Sequence, residues 1–199
     1  MAQDSSKAEF WETRYRDHLT PWDAGKVPAA LRDEVSRFPP GARVLIPGCG
    51  FAHEAAFLAD QGFDVLAIDF SPAAIATAQK TLPRLANLVQ LADFFAFDFG
   101  TPFDVMYERA FLCALPRTMW QRYAGRSAEL LRPDGIIGGF FFFADSPKGP
   151  PFGTSKSELQ ALLGPWFALV EDKPVTDSIE VFSGRERWMV WRRVNQSTV

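Results

Sequence analysis

Arg43-Val-Leu-Ile-Pro-Gly-Cys-Gly50 is the stretch that decides the fold, and Asp69 is the acid that answers it. Val44, Leu45 and Ile46 form a short apolar run of the kind buried in parallel sheets. Pro47-Gly48-Cys49-Gly50 breaks that strand and lets the backbone come close to a ligand. Phe51 to Gln61 is rich in Ala and Leu and reads as a helix closed by Gly62. Val65 to Ile68 reads as a second strand, and it ends in Asp69. Strand, glycine turn, helix, strand and acid make the first half of a nucleoside-binding βαβ unit. An acid at the second strand tip can accept hydrogen bonds from both ribose hydroxyls.

The turn is not a dinucleotide fingerprint. Gly48-x-Gly50 is followed by Ala52 and His53, with no third glycine in register, so no pyrophosphate is cradled there. The shorter form suits a ligand with ribose and adenine but no phosphate, which points to S-adenosylmethionine. Asp69 stands at the expected spacing of about twenty residues. The plainer alternative is a Rossmann-like unit whose glycines only make a tight turn.

With 199 residues the chain is long enough for one domain with a full core. A net charge of -3 leaves no basic footprint for nucleic acid or an anionic membrane. Cys49 and Cys113 lie in apolar contexts and fit reduced thiols in a cytoplasmic protein better than a disulfide. No signal peptide is visible, and the run Ile136 to Ala144 is too short to span a bilayer. His18 and His53 are the only histidines, and neither has a partner at metal-ligand spacing. His53 reads as a surface residue rather than a base.

Outward from the central unit, residues 1–7 are polar and expected to fray. Ala8 to Leu19 reads as a helix with Phe10, Trp11, Tyr15 and Leu19 on one face. Those aromatics either staple the helix to the sheet or form a lid over a ligand, where a sulfonium would gain cation–π attraction. Pro28 to Phe38 reads as a second helix, so residues 1–38 are expected to form an N-terminal helical lid on a single domain, 1–199. Ser71-Pro72 opens another helix, with Ser71 as N-cap. Leu88 to Leu91 reads as a strand ending at Asp93-Phe94-Phe95, where an acid can hold the adenine amino group and an aromatic can cover the ring. Asp93 could instead only cap loop N–H groups.

Phe103 to Tyr107 is a further strand, ending in Glu108-Arg109. Arg117 to Leu131 reads as a helix and Ile136 to Phe143 as a strand covered on both faces, since four phenylalanines follow one another. A Pro/Gly loop over 145–153 precedes a helix with a capping box, Ser155 and Glu158. Trp166 to Val170 and Trp188 to Arg192 read as closing strands, with a polar loop over Val181 to Arg187 between them. The tally is α/β: a doubly wound, mostly parallel sheet with an antiparallel edge strand. Gly48, Asp69, Asp93 and Arg109 all fall at strand ends, on the rim where such sheets bind ligands.

Trp11-x-x-x-Tyr15, Thr20-Pro21-Trp22-Asp23, Leu45-Ile-Pro-Gly-Cys-Gly50, Asp69-Phe-Ser71, Asp93-Phe-Phe95, Phe111-Leu-Cys-Ala-Leu115 and Gly149-Pro-Pro-Phe152 together resemble the thiopurine S-methyltransferase family. That family includes plant and microbial thiol and halide methyltransferases. The resemblance runs in order from Phe10 to Arg192. It implies a seven-stranded class I methyltransferase fold, S-adenosylmethionine as donor and S-adenosylhomocysteine as product. It implies that Trp11, Tyr15 and Trp22 enclose the donor, that Gly48 lies against its methionine part, and that Asp69 holds its ribose. Asp93 and Phe94 would hold the adenine, and Arg109 would sit beside donor and acceptor. The family often has tryptophan at the position of Tyr15 and aspartate at that of Glu108. Arg109 matches the thiopurine-type branch, whereas Thr20 to Asp23 and Phe111 to Ala114 look more like the thiol and halide branch.

The expected activity is methyl transfer to the sulfur of a small thiol or thiopurine-like acceptor by a monomer, with Arg109 and Glu108 as catalytic candidates. A thiol supplies its anion near neutral pH, so alignment, water exclusion and a nearby cation matter most. Arg109 is the first candidate for that cation, with Arg185 or Arg187 behind it, unless Arg109 only pairs with Glu108 or Asp104. Halide, chalcogen, O- or N-methylation, or donor binding without turnover, are the rival readings.

Overall fold

In the computed structural model, residues 4–146 and 148–194 are described. Of the fraying expected over residues 1–7, residues 1–3 lie outside the described residues, as does Pro147 of the 145–153 loop, whereas Ser5 is buried and its carbonyl accepts from Trp11 Nε1. Seven strands run β1 Arg43–Pro47, β2 Asp64–Asp69, β3 Val89–Leu91, β4 Phe103–Arg109, β5 Leu131–Phe142, β6 Phe167–Pro174 and β7 Glu186–Arg193. The helices are α1 Ala8–Arg16, α2 Ala29–Glu34, α3 His53–Asp60, α4 Pro72–Thr81, α5 Trp120–Leu130 and α6 Lys156–Leu163. Among these residues no helix is long and apolar enough to cross a membrane.

The strands form one sheet in the order β3-β2-β1-β4-β5-β7-β6. The first five are parallel, and β7 runs antiparallel to both β5 and β6. The antiparallel strand therefore lies one place in from the rim, with β6 outside it. The chain winds from β1 out to β3 and then returns to place β4 on the other side of β1. That reversal opens a crevice at the carboxyl ends of β1 and β4.

Each strand alternates its side chains between two cores. On one face Leu45, Ile68, Met106, Ile137, Phe141 and Trp191 meet α5 and α6. On the other Val44, Val65, Val105, Tyr107, Phe140 and Trp188 meet α2 and α3. The run of phenylalanines divides as expected: Phe140 packs on the second face and Phe141 on the first. Gly139, with φ +155°, lets β5 approach β4, since a Cβ there would stand 1.9 Å from the Glu108 carbonyl oxygen.

Local chemistry sets the helix starts. Ser71 Oγ accepts from the Ala74 N–H at α4, and Ser155 with Glu158 forms a complete capping box at α6. Two expectations change. Leu19 is 60% exposed, because α1 ends at Arg16 and the chain turns at His18 with φ +56°. Within the 1–38 segment expected as a lid, Leu31, Val35 and Phe38 instead belong to the core on one face of the sheet.

Candidate active site

The glycine turn after β1 supplies the floor of the site. Gly48 has φ +61° and Gly50 φ +52°, conformations that L side chains rarely adopt. A Cβ on Gly48 would stand 2.6 Å from the Phe111 ring, and one on Gly50 would stand 3.0 Å from the Tyr15 hydroxyl. Both glycines therefore keep bare backbone at the surface of a cavity of about 1230 Å³. That exceeds the roughly 300–1,000 Å³ usual for a single small-molecule site, so donor and acceptor can share it.

Trp11, Tyr15, Trp22, Gly48, Asp69, Asp93, Phe94 and Arg109 all line this one cavity. Asp69 ends β2 with its carboxylate bound to the turn: Oδ2 accepts from the Gly50 N–H at 3.1 Å and Oδ1 from the Ser71 N–H at 2.9 Å. Each oxygen keeps a further lone pair for a ligand hydroxyl. Burial pushes this carboxyl up to about 6. Asp93 is exposed, and its Oδ1 accepts from the Phe95 N–H at 2.8 Å. It thus caps its own loop and faces the cavity at once. The Phe94 ring is buried between Phe95 and Phe111, with centroids 5.1 and 5.2 Å away.

The opposite wall comes from α1 and the loop after it. Trp11 meets Trp22 edge-on at 5.2 Å, and Tyr15 meets Trp22 at 5.8 Å. Glu12, which the sequence reading missed, fastens this wall to α4. Its Oε2 accepts from Ser71 Oγ at 2.6 Å and from the Ala73 N–H at 2.9 Å. A carboxylate at that helix N-terminus also complements the helix dipole. No spacing rule connects Glu12 to Ser71, so only the folded chain reveals the pair.

Glu108 does not join the site. Its side chain is 1% exposed and turns away from the cavity under the loop after β4. Oε1 accepts from the N–H groups of Phe111 and Leu112, and Oε2 accepts from the Tyr123 hydroxyl at 2.8 Å. The expected catalytic role is therefore corrected to the anchoring of a loop. Burial pushes the Glu108 carboxyl up to about 7. Arg185 and Arg187 are corrected as well, because neither lines the cavity. Arg187 Nε pairs with Asp172 of β6, and Arg185 Nη2 donates to the Val181 carbonyl.

Arg109 pairs with neither Glu108 nor Asp104. Its Nε lies 3.5 Å from Glu54 Oε1, and its guanidinium carbon sits 4.5 Å over the Phe140 ring. Its Nη1 is buried without a hydrogen-bond partner among the described residues. His53 is a further correction: it is half-buried, lines the cavity, and places Nε2 3.3 Å from Asp23 Oδ1. Asp23 raises the His53 pKa above its ordinary value. Glu54 and Asp23 are the site acids that the sequence reading passed over. The available signal was an acid, Glu54, in the first turn of an Ala-rich helix next to a ligand-binding turn.

Bare backbone at the turn, a rim carboxylate with spare lone pairs and an aromatic wall fit an adenosyl sulfonium. The comparisons agree. The family described as Thiopurine S-methyltransferase (TPMT) matches residues 6–194. Thiocyanate methyltransferase 1 of Brassica oleracea is 30% identical over 93% of this chain and 85% of its own length. A thiopurine S-methyltransferase of Azotobacter vinelandii is 32% identical over 78% of this chain and 81% of its own. Among solved structures, a Burkholderia thailandensis 1,6-didemethyltoxoflavin-N1-methyltransferase superimposes with a TM-score of 0.74 at 22% identity, over 94% of this chain and 87% of that one. That likeness speaks for the fold.

Proposed function

Because the chain belongs to the thiopurine S-methyltransferase family, and is thereby an S-adenosylmethionine-dependent methyltransferase, we propose that it methylates the sulfur of a small thiol or thiopurine-like acceptor. Its place is the cytoplasm, in keeping with two free, buried cysteines. The observation that carries the acceptor class is Arg109. This cation stands at the tip of β4, where the sheet reverses, lines the cavity, and keeps a buried Nη1 unpartnered among the described residues. The Azotobacter vinelandii relative named above is named for a thiopurine sulfur acceptor.

S-adenosylmethionine, when bound, supplies an electrophilic methyl group on a sulfonium. In this reading the Asp69 carboxylate accepts from the ribose hydroxyls, and Asp93 with Phe94 holds the adenine. Trp11, Tyr15 and Trp22 cover the positive sulfur with ring faces and exclude water. Arg109 Nη1 donates to the acceptor sulfur, lowers its pKa and fixes its line of approach.

Product formation from methyl-labelled S-adenosylmethionine, measured with an aromatic thiol, a thiopurine, hydrosulfide, iodide and catechol, tests the proposal. Turnover on sulfur but not on catechol is expected. Turnover on catechol alone overturns the sulfur reading. Arg109→Ala is expected to lower transfer to an aliphatic thiol at pH 7 by about 10- to 100-fold, the range for one charge-assisted hydrogen bond. The deficit should shrink at higher pH, where the acceptor ionises unaided; a wild-type rate would remove Arg109 from the mechanism.

A further inference from the structure

The Arg109 charge is opposed by carboxylates beside it, so what it offers an acceptor is the Nη1 hydrogen bond rather than a net positive field. Its Nε lies 3.5 Å from Glu54 Oε1, the two side chains are only 11% and 14% exposed, and both line the cavity. Other carboxylates crowd the same end. Asp23 faces the pair from the N-terminal loop with His53 at its side, and Glu186 of β7 is buried close enough to feel the Arg109 charge. Burial keeps Tyr107 and the Cys49 thiol neutral. Glu54, Asp23 and Glu186 thus oppose Arg109 and, when it is protonated, His53. Such a balance offers an inorganic anion no net attraction, while it presents a carboxylate where a protonated acceptor can lose a proton.

We propose that Glu54 is the proton acceptor for a neutral thiol, and that with Arg109 it makes the site select S–H acceptors over anions such as iodide or thiocyanate. This rests on the S-methyltransferase reading above. The acceptor S–H bond breaks as its proton passes to a Glu54 oxygen. The electron pair left on sulfur forms the new S–CH3 bond, and the pair of the broken sulfonium bond stays with the departing thioether. Glu54 then returns its proton to water at the cavity mouth. Arg109 Nη1 holds the sulfur while negative charge builds on it. Burial raises the Glu54 carboxyl above its ordinary value, which makes it a better base than a free carboxylate.

Glu54→Gln keeps the size and the oxygen facing Arg109 but removes the base. With 2-mercaptoethanol at pH 7, where that thiol is protonated, kcat/KM should fall by about 100-fold or more. Transfer to iodide should rise. By calorimetry on protein saturated with S-adenosylhomocysteine, thiocyanate should bind the variant about tenfold more tightly than wild type, since one opposing charge is gone. Equal losses on thiol and iodide, an unchanged thiol rate, or an unchanged thiocyanate affinity would each overturn the proposal. Should Glu54→Gln fail to fold, Glu54→Asp decides: it should slow the thiol about tenfold while thiocyanate stays excluded, and parallel losses on thiol and iodide overturn the idea. A wild type inert toward every sulfur acceptor sinks the S-methyltransferase reading instead, and the thiocyanate titration still decides the charge argument.

Discussion

Asp69→Ala is expected to weaken S-adenosylmethionine binding by about 100- to 1,000-fold, the loss of two charge-assisted hydrogen bonds of roughly 1.5–3 kcal/mol each with some overlap between them. Calorimetry at pH 7.5 reads this directly. Asp69→Asn, which keeps one oxygen, should fall between. The Gly50 N–H released by the substitution lies at the cavity wall, within reach of water, whereas the Ser71 N–H is buried, so Asp69→Ala should also cost about 1–3 kcal/mol of stability, which a melting curve separates from the loss of affinity. The wild type should also show a pH signature. The folded Asp69 carboxyl titrates at about 6 rather than at the ordinary 3.8. Its contribution to folding is therefore full below 3.8 and is lost as the pH rises through about 6. Donor hydroxyls favour the charged form, so donor binding has the opposite sense and weakens as the pH falls below about 6. Asp69→Asn should flatten that profile. An unchanged affinity in Asp69→Ala would remove Asp69 from the donor site.

Glu108→Ala is expected to cost about 3–5 kcal/mol of stability, from unpaired donors at roughly 1–3 kcal/mol each with some overlap, and to lower the melting point by roughly 10 °C for a domain of this size. Three donors lose their partner at once: the N–H groups of Phe111 and Leu112 and the Tyr123 hydroxyl. The Leu112 N–H and the Tyr123 hydroxyl lie where water cannot easily replace the carboxylate. Donor binding should weaken too, because this loop presses the Phe111 ring against Gly48. Tyr123→Phe removes one bond and should cost only about 1 kcal/mol. Glu108→Gln separates anchoring from acid–base chemistry. The folded carboxyl titrates at about 7 rather than 4.5, so its favourable contribution is full below 4.5 and is lost as the pH rises through about 7. Glutamine does not ionise, and its stability relative to wild type should improve over that window. A near-wild-type rate in a folded Glu108→Gln is expected; a loss of thiol turnover far beyond any loss of donor affinity would restore Glu108 to the chemistry.

The cavity-lining residues were legible because each is fixed by a local pattern. Gly48 and Gly50 announce a turn that needs positive φ, Asp69 and Asp93 close apolar runs, and Trp11 and Tyr15 share a helix face. Glu108 misled because strand alternation sends it to the opposite face from Arg109, and sequence adjacency conceals that split. Glu54, Asp23 and Glu12 stayed hidden for a different reason. Each acts through a partner far along the chain, at Arg109, His53 and Ser71 respectively. The closing strands were read correctly as strands, but β7 enters between β5 and β6. Their order depends on backbone pairing across the sheet, which no run of apolar residues encodes by itself.

By itself the sequence determined the strand–turn–helix unit, the rim acids, the doubly wound class and the adenosyl donor. These follow from short-range rules: side-chain period, glycine conformations, helix caps and the direction in which a parallel strand ends. Only the tertiary structure decided which acid meets Arg109, which carboxylate is a loop anchor, and where the aromatic wall is fastened. Those outcomes turn on charges buried by distant segments, where a few ångströms separate an ion pair from an orphaned group and the chain must fold before the distance exists.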